Sequence, residues 1–166
     1  MVSADQITQI PTEGLLAAAR AIIQAAEYCF LITLSESGEA NARLMQHFKP
    51  DDDLILWFGA SPRSRKVQNI SRDSRVTVVL EDPREAAYLT LQGSAQVETD
   101  LNVRRQYWRE DWVAFFPAGP EGEDYVLIKF VPARIEIMSF ERHIAPEPYG
   151  LQPAILIREG EGWVRR

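Results

Sequence analysis

A short basic segment carries the clearest chemistry in this sequence. Ser61 and Pro62 suit the cap and the first position of a helix, and Arg63, Arg65 and Lys66 follow in or near its first turn. Cations at the partly positive N-terminus of a helix lose roughly a few tenths of a kcal/mol each unless an anion lies among them. The segment therefore predicts a phosphate site or a solvated basic turn, and its spacing alone favours neither.

The rest of the chain must supply elements that hold this segment. Alternating apolar residues between turn residues predict short strands at 28–34, 40–47, 54–59, 76–80, 88–97, 125–131 and 134–140. Gly93 is expected to mark a bulge or a close approach within the fifth strand. Helices are expected at 12–26 and at 101–112, where aromatic residues need a surface to cover. This pattern predicts a mainly β fold, an antiparallel barrel of six to eight strands with a few helices.

Length and charge limit the organisation and the partners. The 166 residues fit a single domain, with an N-terminal helix at 12–26, a barrel at 28–140 and a C-terminal extension at 141–166. The net charge of −6 argues against a general nucleic-acid surface, so any anion site must be local. No stretch approaches the roughly 18 apolar residues of a membrane span, and the N-terminus lacks a signal pattern. We expect a cytoplasmic protein that binds neither nucleic acid nor membrane.

The metal-binding residue types are sparse. His47 and His143 are far apart and lack the Cys or carboxylate spacing of a zinc or iron site, so no metal is expected. Each is interpreted as a surface or hydrogen-bonded residue, although Arg142 and His143 together could also meet an anionic substrate. Cys29 lies in an apolar run and is expected to be a buried small residue.

Several short motifs follow one another in a characteristic order between residues 26 and 140. They are the strand Phe30-Leu31-Ile32-Thr33-Leu34 with its Gly-containing turn, Arg43-Leu44-Met45, Leu56-Trp57-Phe58, Ser64-Arg65-Lys66, and the 88–93 stretch with Ala95. In this order they resemble the FMN-binding split-barrel superfamily of pyridoxamine 5'-phosphate oxidase, especially its short branch related to general stress protein 26. The resemblance implies a split barrel that binds FMN.

The same resemblance implies roles for individual residues. Ser64, Arg65 and Lys66 would hold the FMN phosphate, Arg43 would reach the flavin or its ribityl chain, and the third strand would line the ring. The candidate cofactor contacts are Arg43, Met45, Trp57, Phe58, Gly59, Ser61, Ser64, Arg65 and Lys66. Proteins of this kind are homodimers with the flavin at the subunit interface, which implies the same assembly here.

Two departures from the oxidase weigh on the activity. Phe48 stands where the oxidase usually has a lysine, five positions after the strand arginine, and Lys49 comes next. The oxidase's C-terminal Arg-x-His-Asp-Arg substrate motif is absent, and Arg142-His143 is only weakly similar to it. Oxidation of vitamin B6 is therefore not the expected reaction.

The leading expectation is an FMN-dependent oxidoreductase that acts on an unidentified small molecule or electron donor, with the flavin supplying the redox chemistry. No catalytic residue is assigned. The alternatives are a non-catalytic flavin-binding stress-response or sensor module, and a related barrel that uses a deazaflavin or haem. Trp163, with Arg165 and Arg166, is interpreted as closing over a neighbouring flavin or as an ordinary C-terminal strand, and the strand is preferred.

Overall fold

Eight antiparallel strands form one sheet in the computed structural model, which describes residues 10–144 and 152–166. The strands are β1 (Tyr28–Leu34), β2 (Ala40–Gln46), β3 (Leu56–Ala60), β4 (Arg75–Asp82), β5 (Ala87–Glu98), β6 (Val126–Ser139), β7 (Ala154–Glu159) and β8 (Gly162–Arg165). The helices are α1 (Thr12–Ala25), α2 (Arg65–Arg72) and α3 (Leu101–Gln106), and 3-10 turns span Glu110–Ala114 and Gly119–Glu121. Within the described residues, no helix is long and apolar enough to cross a membrane.

Strand β6 organises the sheet. One edge pairs with β5 along most of its length, while the other edge pairs first with β3 and then with β7. Beyond β5 the order continues through β4 and β1 to β2. Just after β2, the Phe48 N–H donates to the Trp57 carbonyl at 3.1 Å, which brings the end of β2 beside β3. Strands β1 to β6 thus curl into a barrel, and β7 and β8 extend it, which confirms the expected mainly β split-barrel fold.

A bulge lets β6 run through Pro132, where the sequence predicted two separate strands. Gln92 pairs with Arg134 and Gly93 with Pro132, so Ala133 is the additional residue. Proline cannot donate to a ladder, and a bulge is one of the places where a strand tolerates it. A Cβ on Gly93 would lie 2.0 Å from the Val131 oxygen. The predicted close approach at Gly93 is confirmed, and the predicted break at Pro132 is wrong.

Two clusters of buried side chains lie on opposite faces of β3. The main core fills the barrel and includes Phe58, with α1 packed on β4 and β5 and α2 packed on β1 and β5. A second cluster on the other face contains Trp57, Trp112, Tyr125 and Leu127. Both faces of this short strand are thus committed to packing, as its apolar sequence requires.

The second cluster explains why the predicted helix at 101–112 stops early. Helix α3 ends at Gln106, and Trp112 lies in the following 3-10 turn. At the break, the Tyr107 carbonyl accepts a hydrogen bond from the Tyr125 hydroxyl, and the Tyr107 ring stacks on Trp57 with centroids 4.6 Å apart. These tertiary contacts outweigh the helical spacing, so the aromatic residues find their surface within the same chain.

Gly59 is the point of closest contact between β3 and this cluster. A Cβ at this position would lie 2.1 Å from Trp112 Cζ3. We expect Gly59→Ala to displace the indole and lower the free energy of unfolding by about 1–3 kcal/mol, measured by urea denaturation. Gly162→Ala is the control, because its nearest neighbouring atom is 3.9 Å away, and it should change stability by less than about 0.5 kcal/mol. Equal stability of the two variants would contradict this account.

Candidate functional site

Helix α2 begins later than the sequence suggested. Ser64, not Ser61, is its N-cap, and Arg65 and Lys66 are its first two residues. Ser61 and Pro62 lie in a preceding turn that the Ser64 N–H closes by donating to the Ser61 carbonyl at 3.0 Å. The predicted cap at Ser61 is therefore wrong by three residues, because the turn comes before the helix instead of belonging to it.

The Ser64 side chain does not cap the N-terminus of α2. The Ser64 hydroxyl donates to the Ser61 carbonyl at 2.7 Å, and it accepts no hydrogen bond from the first-turn N–H groups. The first turn contains no acidic residue either. Uncapped N–H groups and the positive end of the helix dipole together favour an external anion at this position.

Three cationic side chains meet beside this helix start. Burial lowers the pKa of Lys66 below its ordinary value, and the positive charge of Arg43 lowers it further. Burial also lowers the pKa of Arg43, and the charge of Arg65 adds to the effect. A nearby like charge disfavours the charged form in this way, and the hydrogen bonds from Arg43 and from Asn69 of α2 to the same Thr33 hydroxyl place the β2 arginine beside α2. Within the described residues, none of the three forms an ion pair with a carboxylate.

Strand β2 supplies Arg43 through its alternation. Arg43 and Met45 lie on one face of β2 and are half-buried, whereas Leu44 points the other way and is exposed. The Arg43 guanidinium donates through Nη1 to the hydroxyl of Thr33 on β1 at 2.7 Å. Met45 packs against the main core. The structure thus brings Arg43 from β2 to Ser64, Arg65 and Lys66 of the α2 start, while Met45 contributes to packing.

The three predicted residues of β3 do not share a surface. The Phe58 side chain is fully buried in the main core. Trp57 points to the opposite face, where it stacks on Tyr107, and Gly59 lies against Trp112. Strand alternation places Phe58 on one face of β3 and Trp57 and Gly59 on the other. Residues of the same chain pack against both faces.

Two buried polar residues near the cations escaped the sequence interpretation. Thr33 occupies an inward position of β1, in line with Cys29 and Leu31, and Asn69 is buried on α2 beside Ile70. The Asn69 amide donates to the Thr33 hydroxyl at 2.9 Å. A polar side chain among inward apolar positions was the available signal, since buried polar groups need partners.

His47 and Arg142 make contacts away from this group of cations, and His143 is exposed. The His47 ring nitrogens lie 2.8 Å from the Phe48 carbonyl and 3.0 Å from the Ala26 carbonyl, which confirms a hydrogen-bonded residue. Arg142 pairs with Glu85 through two contacts of 2.6 Å, and His143 lies beside it in a turn. In the described part of the chain, no three His, Cys, Asp or Glu side chains come together to hold a metal.

The end of the chain forms the preferred C-terminal strand. Trp163 lies in β8 and packs against the main core, with the Arg158 guanidinium 5.7 Å from its ring centroid. Arg165 donates to the Ile10 carbonyl at 2.8 Å, and Arg166 pairs with Glu159. These contacts join the last strand to the rest of its own chain.

Solved structures of similar fold come from several bacteria. General stress protein 26 of Bacillus anthracis is 25% identical with a TM-score of 0.65, over 75% of this chain and 93% of that one. A Clostridium acetobutylicum protein related to general stress protein 26 is 18% identical with a TM-score of 0.70, over 79% and 92%. A pyridoxamine 5'-phosphate oxidase-related, FMN binding protein of Nostoc punctiforme is 16% identical with a TM-score of 0.67, over 94% and 96%. No curated protein matches the sequence.

A family model covers most of the barrel and confirms the resemblance drawn from the motifs. It is described as pyridoxamine 5'-phosphate oxidase like and matches residues 16–138, from within α1 to the end of β6. The matched region includes the α2 start and the β2 arginine. The chain belongs to the pyridoxamine 5'-phosphate oxidase-like family.

Proposed function

We propose that this protein binds FMN through its phosphate and uses it in an oxidoreductase reaction on a small molecule. In this proposal Ser64, Arg65 and Lys66 hold the phosphate at the start of α2, and Arg43 reaches it from β2. The observation that carries the proposal is the meeting of three cations, none paired with a described carboxylate, at an uncapped helix N-terminus.

The donors of this site fit a phosphate group. A phosphate monoester carries a charge of about −1.5 to −2 near neutral pH and offers three strong acceptor oxygens. The first-turn N–H groups, two guanidinium groups and one ammonium group provide matching donors and more than balance that charge. Without an anion, half-buried Arg43 and Lys66 would repel each other at a cost in stability. A phosphate site accounts for this arrangement better than a solvated basic turn does.

When bound, the flavin would supply the redox chemistry, and the chain would supply binding, orientation and the local charge. The binding step needs no acid or base from the protein. A cluster of positive charge around the phosphate would also restrain that end of the cofactor, so its position in the barrel would be set by β2 and α2.

The haem alternative is weaker, because Cys29 and His47, two of the side chains that could ligate iron, make other contacts. Burial raises the pKa of the Cys29 thiol to about 12, and this thiol donates to the Met45 carbonyl. Both ring nitrogens of His47 face backbone carbonyls. A deazaflavin that carries a phosphate would use the same basic site, so the cofactor test below includes the identity of the bound chromophore.

We also propose a homodimer that places the flavin near the subunit interface. Phe30 and Leu44 lie directly opposite each other on β1 and β2 and are 49% and 59% exposed, and Tyr28 beside them is 47% exposed. This apolar stripe lies on the outer face of β1 and β2, and Arg43 lies on the opposite face of β2. A second copy covering the stripe would therefore lie close to the proposed cofactor site.

Loss of the phosphate donors should weaken FMN selectively. We expect Arg65→Ala or Lys66→Ala to reduce FMN affinity roughly ten- to a hundredfold, because each removes a charge-assisted contact worth about 1.5–3 kcal/mol. Riboflavin lacks the phosphate, so its affinity should stay within about twofold. The measurement is fluorescence titration of both ligands, after identifying the chromophore that co-purifies with the wild type.

Arg63→Ala is the matched control for this titration, because it removes the same charge from an exposed residue that precedes the helix. It should cost less than about threefold in FMN affinity. Unchanged FMN affinity in the Arg65→Ala, Lys66→Ala double variant would refute the site. Equal losses for FMN and riboflavin would indicate damage to the fold instead.

The oxidoreductase and sensor hypotheses differ in whether the flavin turns over. We expect a reduced nicotinamide or a comparable small donor to bleach the bound flavin, and an acceptor to restore its absorbance. Anaerobic stopped-flow mixing measures both steps. If no biological donor reduces the flavin at a useful rate, the non-catalytic module is supported, and turnover of pyridoxine 5'-phosphate would contradict the weight given to the missing substrate motif.

The apolar stripe predicts which substitution should dissociate the dimer. Leu44→Glu places a charge in the proposed interface, so we expect sedimentation velocity at low micromolar concentration to show a monomer with weaker FMN binding. Val113→Glu is the control, because Val113 is similarly exposed (53%) but lies in the 3-10 turn after α3. A wild-type monomer that binds FMN tightly, or dissociation by the control alone, would argue against this interface.

A further inference from the structure

A chain of polar contacts runs from the surface to the Arg43 guanidinium. Glu36 pairs with Arg72 at 3.1 Å, and Arg72 donates through Nη2 to Asn69 Oδ1 at 2.9 Å. Asn69 in turn donates through Nδ2 to the Thr33 hydroxyl oxygen at 2.9 Å. Arg43 donates to the same oxygen at 2.7 Å. The chain joins α2, β1 and β2 around a threonine that is 0% exposed and an asparagine that is 4% exposed.

The contacts fix the direction of each group. Because Arg72 donates to the oxygen of the Asn69 amide, the amide must present its NH₂ group to Thr33. The Thr33 oxygen then accepts from both Asn69 and Arg43, which uses its two lone pairs. Arg72 has its charge balanced by Glu36, so it can orient the asparagine without adding an unpaired cation. The result is a rigid acceptor at one fixed point beneath Arg43.

We propose that Thr33, oriented by Asn69, is a positioning residue that holds the Arg43 guanidinium toward the ligand phosphate at the start of α2. This inference rests on the proposed function, because it assigns the anchored arginine to the same phosphate. A neutral hydroxyl anchors one N–H of the guanidinium and leaves its full charge and its other donors available. A carboxylate in place of Thr33 would anchor the arginine equally well but would neutralise it.

Anchoring matters because of the neighbours of Arg43. The charges of Arg65 and Lys66 repel the guanidinium, and a free arginine side chain would rotate away from them. Ordering a flexible arginine on binding weakens the affinity for the ligand roughly two- to tenfold through the loss of conformational entropy. The Thr33 hydroxyl removes much of that cost before the ligand arrives. A purely structural role for Thr33 would affect stability but would not distinguish ligands with and without a phosphate.

The test is a double-mutant cycle between Thr33 and Arg43, read out with FMN and riboflavin. Thr33→Val keeps the shape and removes the acceptor, so we expect about a five- to tenfold loss of FMN affinity and less than a twofold change for riboflavin. Thr33→Ser retains the hydroxyl and should restore FMN affinity. In an Arg43→Ala background, Thr33→Val should cause no further loss.

The outcomes separate the two proposals. Equal losses for FMN and riboflavin, or an undiminished loss in the Arg43→Ala background, would give Thr33 a structural role and overturn the inference while the phosphate site stands. A wild type that binds FMN no better than riboflavin would overturn the proposed function and this inference with it. Urea denaturation of each variant establishes that it folds.

A second variant tests the outer part of the chain if Thr33→Val proves unstable. Arg72 has a side chain that is 45% exposed, so Arg72→Gln should fold. It removes the donor that orients Asn69, and we expect roughly a two- to threefold loss of FMN affinity with riboflavin unaffected. Unchanged FMN affinity in this variant would overturn the role given to Asn69.

Discussion

Repulsion among Arg43, Arg65 and Lys66 is the constraint around which the rest of the structure is arranged. Like charges close together in a partly desolvated site cost free energy, so something else must hold their elements together. Val67 and Ile70 anchor α2 in the main core, and the β1 and β2 ladder fixes the strand that carries Arg43. The packing of the barrel thereby keeps several positive charges in one place, which is what the proposed phosphate site requires.

The periodicity of the chain was sufficient to predict the barrel, and its two errors have a common origin. Strand alternation and turn residues identified all the strands of the barrel, and Gly93 was correctly interpreted as a close approach. The break predicted at Pro132 was wrong because a glycine on the partner strand accommodates the proline. The helix predicted at 101–112 begins as expected but ends at Gln106, because Tyr107 stacks on a distant strand. The course of β6 through Pro132 and the end of α3 both depend on residues that are distant in sequence, which local patterns do not reveal.

The part of the candidate site that depends on neighbouring residues in the sequence could be predicted. The part that depends on tertiary contacts could not. Helix electrostatics alone indicated that the cations of residues 63–66 are unfavourable at a helix N-terminus without an anion. The position of Arg43 beside them was expected only from the family resemblance. Strand alternation divides Trp57, Phe58 and Gly59 between two faces, a separation already present in the sequence as a period of two. Thr33 stands out within β1 as a polar side chain among inward apolar positions, but its partner Asn69 becomes apparent only when β1 and α2 are side by side.

The shared strand β6 has a consequence for the order in which the protein can be made. Strand β3 precedes α2, yet its ladder partner is the first half of β6, far later in the chain. As the polypeptide leaves the ribosome, β1, β2 and α2 emerge early, but β3 lacks a complete hydrogen-bonded neighbour until nearly the whole barrel has been synthesised. Such non-local pairing slows folding. The nascent chain therefore exposes an unpaired apolar strand directly before its basic helix until β6 has been translated.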